Sequence, residues 1–113
     1  MNREYSIKLE CNNRTIYKEK CFKLEDCCER VFWDYVKMNI LDSLLDNIEL
    51  KKTKCISKDY FKTVLINNDM PDLHYSIKKL SPGDISIDSI KNILTKKKEE
   101  YERTYYKLRN KRK

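Results

Sequence analysis

Apolar positions along the chain predict helices of unequal length. Ile7, Leu9 and Cys11 predict a short helix over 5–12, stopped at Asn12-Asn13-Arg14. Residues 15–25 read as a loop anchored by Ile16, Tyr17, Cys21 and Phe22. Asp26, with Glu29 three positions on, makes a capping-box pattern and opens the main helix. No Gly or Pro occurs before residue 71, so this helix is expected to run to about residue 50, roughly seven turns. Val31, Tyr35, Met38, Leu41, Leu45 and Ile48 form one apolar face; Phe32, Val36, Ile40 and Leu44 form a second. A helix with two apolar faces packs on two sides. The short neighbouring helices are too small to cover both, so the pattern implies a partner chain.

Ser57 is a good N-cap for a short helix through Ile66, carrying Tyr60, Phe61, Val64 and Leu65 and ended by Asn67-Asn68-Asp69. Pro71 suits the first turn of another helix through Lys79, anchored by Leu73, Ile77 and Leu80. Ser81-Pro82-Gly83-Asp84 reads as a turn. Ile85, Ile87, Ile90, Ile93 and Leu94 form an apolar segment after it, and Leu94, Tyr101, Tyr105 and Leu108 keep helical spacing into the C-terminal stretch. The expected fold class is all-α.

Charge changes the picture from a generic bundle to a polyanion binder. Charged residues make up 38% of the 113, with a net charge of +7. The excess is uneven: residues 51–62 hold five Lys against one acid, and residues 96–113 hold nine Lys or Arg against three Glu. The basic loop Lys51-Lys52-Thr53-Lys54, between a long helix and a short one, has the make-up of a phosphate site. No run of 18 apolar residues occurs, so no membrane partner is expected, and the N-terminus lacks the apolar core of a signal peptide. Five cysteines, with Cys27 and Cys28 adjacent, fit a reducing compartment. With no C-x-x-C pair and one histidine, His74, no metal, cofactor or catalytic residue is expected.

The order of elements resembles the histone fold, and the details resemble core histone 2A. Tyr17-Lys18-Glu19-Lys20 is similar to that family's first-loop Tyr-Ala-Glu-Arg, and Val31-Phe32-Trp33-Asp34-Tyr35 to its Ala-Val-Leu-Glu-Tyr. Ile40-Leu41-Asp42 and Lys51-Lys52-Thr53-Lys54 resemble its Ile-Leu-Glu and Lys-Lys-Thr-Arg. Pro82-Gly83 and Ile90 to Leu94 follow the spacing of its docking segment. Departures are Asn39, where an acid is usual, lysines for loop arginines, and an unfamiliar stretch after Thr95.

The resemblance implies a residual N-terminal tail (1–4), a histone fold with a short C-terminal helix (5–80), a docking segment (81–95) and a basic tail (96–113). It implies DNA contacts from Arg14, Lys20, Lys51, Lys52, Lys54, Lys58, Lys96, Lys97 and Lys98. The dimer interface would be Val31, Phe32, Tyr35, Met38, Leu41, Leu44, Leu45 and Ile48, facing a histone 2B-like chain in an obligate heterodimer. Asp34, Asp42 and Asp69 would form an acidic patch, and Ile85, Ile87, Ile90, Ile93 and Leu94 would dock on histone 3- and histone 4-like chains in an octamer. The implied function is non-enzymatic: sequence-independent wrapping and compaction of double-stranded DNA, in nuclear chromatin or in a virion or viral factory. The alternative is a histone-fold subunit of a heterodimeric transcription regulator; a small metal-dependent enzyme stands as a third class.

Overall fold

Five strands form as well as three helices among the described residues, and in the strands Tyr5–Cys11 and Met70–Lys79 apolar residues alternate with a period of two. The computed structural model describes residues 4–54, 61–81 and 83–111, with residues 106–111 described by their backbone. In β1 (Tyr5–Cys11) the inward residues Ile7 and Leu9 alternate with Ser6, Lys8 and Glu10. Asn12 and Asn13 both have positive φ (52° and 65°). That is the type I′ hairpin turn, which matches strand twist and which Asn tolerates. The chain returns as β2 (Arg14–Cys21), with a bulge that leaves Ile16 as the extra residue.

Helix α1 (Leu24–Lys37) opens where the Asp26 carboxylate accepts the Lys23 N–H at 3.2 Å. It stops at Met38 because Asn39 turns left-handed, with φ 57°. Ile40 N–H donates to the Tyr35 carbonyl at 3.0 Å and Asn39 N–H to the Val36 carbonyl at 3.1 Å, closing a Schellman motif. A single turn, α2 (Ser43–Asp46), precedes β3 (Ile48–Lys54). Strands β4 (Phe61–Asn67) and β5 (Met70–Lys79) follow as a hairpin. The last described element is α3 (Ile87–Lys111), whose start is capped by Ser86 Oγ accepting the Ser89 N–H at 3.2 Å.

The five strands form one antiparallel sheet in the order β2-β1-β5-β4-β3. Helices α1 and α3 lie on one face. Their Val31, Phe32, Tyr35, Ile90 and Leu94 join Ile7, Leu9, Leu65, Tyr75 and Ile77 of the sheet in a single core. Lys52 of β3 forms a salt bridge to Asp84 at 2.8 Å, tying that edge to the β5–α3 connection.

Asp34 fastens helix to sheet. Its Oδ2 accepts the Tyr17 hydroxyl of β2 at 2.7 Å and the Tyr75 hydroxyl of β5 at 3.0 Å. Burial, and then the neighbouring carboxylate, push both phenols well above their ordinary range, so they stay protonated donors. Arg30 stacks over the Tyr17 ring at 4.4 Å and lies 3.7 Å from Asp34.

The expected all-α histone fold is therefore not what forms. The predicted helix over 5–12 is β1, because its apolar residues recur at every second position. The predicted seven-turn helix ends at Lys37, because Asn39 accepts a conformation that a β-branched or bulky residue resists. Its last residues, 48–50, belong to β3. The helix expected over 57–66 falls partly on 55–60, outside the described residues; 61–67 is strand β4. The helix expected over 71–79 is β5, where Leu73, Tyr75 and Ile77 alternate inward. The element order behind the resemblance to core histone 2A is thus not the one the chain adopts.

The residues expected at a dimer interface are largely covered from within. Val31, Phe32, Tyr35 and Leu44 are buried in the core, Leu41, Leu45 and Ile48 pack against it, and Met38 is exposed. The inference of a partner chain required one long two-faced helix, and that helix does not exist. Of the expected docking residues, Ile85, Ile90 and Leu94 are core residues of this chain, Ile93 packs on the core, and Ile87 begins α3 half-buried.

Asp34→Ala should destabilise the protein by about 1–3 kcal/mol, because it leaves the buried Tyr75 hydroxyl without an acceptor. Asp34→Asn, which keeps an acceptor oxygen, should lose less. Urea unfolding of the two variants checks the order.

Candidate nucleic-acid interface

The face of the sheet turned away from the helices is ruled by strand register. One row runs Lys20, Ser6, Lys78, Lys62, Thr53 across all five strands. The next, two residues along, runs Lys18, Lys8, Ser76, Val64, Lys51. These two rows hold Lys8, Lys18, Lys20, Lys51, Lys62 and Lys78 and no acid. At about 4.8 Å per strand spacing, each row is roughly 19 Å wide. The third row contributes Glu10, His74, Ile66 and Glu49.

Only part of this charge is balanced. Lys8 meets Glu10 at 2.8 Å and Lys51 meets Glu49 at 3.5 Å. The Lys8 ammonium holds the Glu10 carboxyl below the usual carboxylate range. Among the described residues, Lys18, Lys20, Lys62 and Lys78 form no salt bridge. Two cross-strand pairs set like charges directly opposite, Lys8 against Lys18 and Lys62 against Lys78. Such pairs destabilise a sheet. Ser6 and Ser76, nearly buried between the lysines, keep the surface low and continuous.

The residues expected to contact DNA are divided by this geometry. Lys20 and Lys51 are on the open face, on opposite edge strands. Lys52 and Lys54 alternate to the helix side; Lys52 is engaged by Asp84 and lies 5.0 Å from the Phe61 ring. Arg14 is exposed at the start of β2. Lys96, Lys97 and Lys98 are on α3, with Lys98 3.9 Å from Glu102. Lys58 lies outside the described residues. Sequence reasoning missed Lys8, Lys18, Lys62 and Lys78. Their signal is lysine at alternating positions flanked by apolar ones, as in Ile7-Lys8-Leu9.

The expected acidic patch separates as well. Asp34 is the helix anchor, and Asp42 is exposed at the start of α2. Asp69 accepts bonds from Ser43 Oγ and Asn47 Nδ2, both at 2.8 Å, clamping α2 to the β4–β5 hairpin.

Cys27 and Cys28 are buried where β2 meets α1, and burial pushes both thiols up, Cys28 to about 12. Such thiols are poor nucleophiles. Among the described residues, no group of three or more His, Cys, Asp or Glu is arranged to hold a metal ion.

No protein-family model, curated protein or solved structure matches this chain.

Raised pKa values make the fold alkali-sensitive. Cys28 moves from 9.0 to about 12 and Tyr35 from 10.0 to about 12, both by burial. The unfolded chain releases these protons first, so the folded state holds more of them between those values. Their contribution is whole below about pH 9 and falls as pH rises toward 12. Urea midpoints should decline over that window, and the same thiols should resist alkylation near neutral pH until the protein unfolds.

Proposed function

We propose that the chain is a non-enzymatic binding module for double-stranded DNA, using the helix-free face of its sheet. The supporting observation is the pair of directly opposed lysine couples, Lys8–Lys18 and Lys62–Lys78, inside two acid-free rows. A folded protein carrying repulsion at a solvent surface is less stable than it need be, and local rules are broken mainly where function demands it. A phosphate between two such ammonium groups turns repulsion into attraction and releases counterions.

The chemistry of the face indicates backbone contact. Lysine binds phosphate as a point charge without reading base edges. The only ring in the three rows is His74, which is hydrogen-bonded to the Pro71 carbonyl, so base stacking has no platform. Binding is thus expected to ignore sequence and to weaken steeply with salt. Wrapping of DNA in an octamer is not part of this reading, because it required the paired loops of a histone fold.

Lys78→Glu separates this function from an ordinary solvated surface. It replaces the Lys62–Lys78 repulsion with an attraction, so stability should rise by roughly 0.2–1 kcal/mol. DNA affinity should fall, and the slope of log affinity against log salt should shallow by about 1–2. Urea unfolding and fluorescence anisotropy with a short duplex measure both. A variant that is more stable and binds duplex as well as the parent defeats the reading.

A further inference from the structure

The edge strand β2 faces a groove of about 860 Å³ whose far wall is α1. Lys18, Lys20 and Phe22 line the near side; Glu29, Arg30 and Trp33 line the helix side. Strand β2 pairs with β1 alone, and among the described residues no backbone group from elsewhere bonds the outer edge of residues 14–20. Trp33 is 44% exposed and Phe22 46%, so the groove presents two large aromatic side chains beside the strand edge of residues 14–20. An unpaired edge next to a helix wall is the geometry of strand addition, in which an incoming segment gains main-chain hydrogen bonds and seats alternate side chains.

Charge selects the occupant. In a two-fold pairing of β2 with a second copy, the registers centred on Lys18, Glu19 or Lys20 all set lysine opposite lysine. The register centred on Glu19 also opposes the two glutamates. Self-pairing is therefore disfavoured, as befits an exposed edge. A strand with carboxylates on one face meets the reverse situation: directly opposite Lys18 and Lys20, it forms attractive cross-strand pairs. Its other face points toward α1, where Trp33 favours apolar residues. Arg30 lies 3.6 Å from Glu19 and 3.7 Å from Asp34, long contacts for a guanidinium with two carboxylates.

We propose that β2 is the docking edge for an extended segment of another protein, one in which acidic and apolar residues alternate, added as a sixth strand along the α1 groove. The docked strand shares Lys18 and Lys20 with the open sheet face but rests on the β2 edge, whereas DNA binding also draws on Lys62 and Lys78.

The test uses the purified full chain and a capped peptide of alternating glutamate and valine, about eight residues long so as to lie along β2. Outward amides of residues 16–20 should exchange about tenfold more slowly at a peptide concentration ten times Kd. Emission from Trp33, the single tryptophan, should shift with the same saturation curve. A lysine–valine peptide should do neither. The Lys18→Glu/Lys20→Glu variant removes the Lys8–Lys18 repulsion, so it is expected to fold, and it should reverse the preference between the two peptides. Absence of slowed exchange at millimolar peptide, slowing confined to β3, or an unreversed preference in that variant would each overturn the proposal. Lys78→Glu, two strands from the edge, should bind the acidic peptide as the parent does while losing DNA, so the two proposals fail separately.

Discussion

One carboxylate determines how the two layers of this protein meet. Asp34 projects from α1 and accepts hydroxyls from Tyr17 on β2 and Tyr75 on β5, strands that flank β1. A charged acceptor held by one buried and one half-buried donor is worth more than a neutral hydrogen bond and is directional, as hydrophobic contact is not. Apolar burial supplies the larger share of the stability, but it leaves a helix free to slide over a sheet. The Asp34 bonds fix where α1 crosses. That position covers one face of the sheet, leaves the other bare, and leaves a groove beside β2.

Both proposed surfaces follow from that placement. With helices confined to one side, every second residue of each strand is turned outward, and register then decides which outward residues are neighbours. Lysines far apart in sequence, such as Lys8, Lys18, Lys62 and Lys78, become two adjacent rows. The balance of forces there differs from that of the core. Exposed charges interact weakly in water, so opposed lysines are tolerated, and Lys18, Lys62 and Lys78 form no salt bridge among the described residues.

Some of this was legible in the chain. The net charge of +7 and the uneven basic stretches point to a polyanion partner; Lys51 stands in a stretch of evident basic composition, whereas Lys20 enters only through the resemblance. The apolar set Val31, Phe32 and Tyr35 was correctly recognised as helical, although its role was assigned to a partner rather than to the core. Asn12-Asn13 reads as a stop but is a hairpin turn, and Asn39, which reads only as the place of a missing acid, ends α1. Asparagine is ambiguous because its side chain competes for backbone bonds in several conformations, and only the pairing of flanking segments tells which one wins. Short apolar runs such as 61–67 carry the same ambiguity, since burial on one side of a sheet and on one side of a helix produce similar compositions.

Sequence alone determined the charge balance, the positions of the turn residues and the period-two alternation of β1 and β5, because these are local properties of neighbouring residues. The tertiary structure alone decided which strands pair, that Asp34 is an anchor and not a surface acid, and that scattered lysines share one face. Those outcomes depend on contacts between residues such as Asp34 and Tyr75, 41 positions apart, whose energies no local window contains.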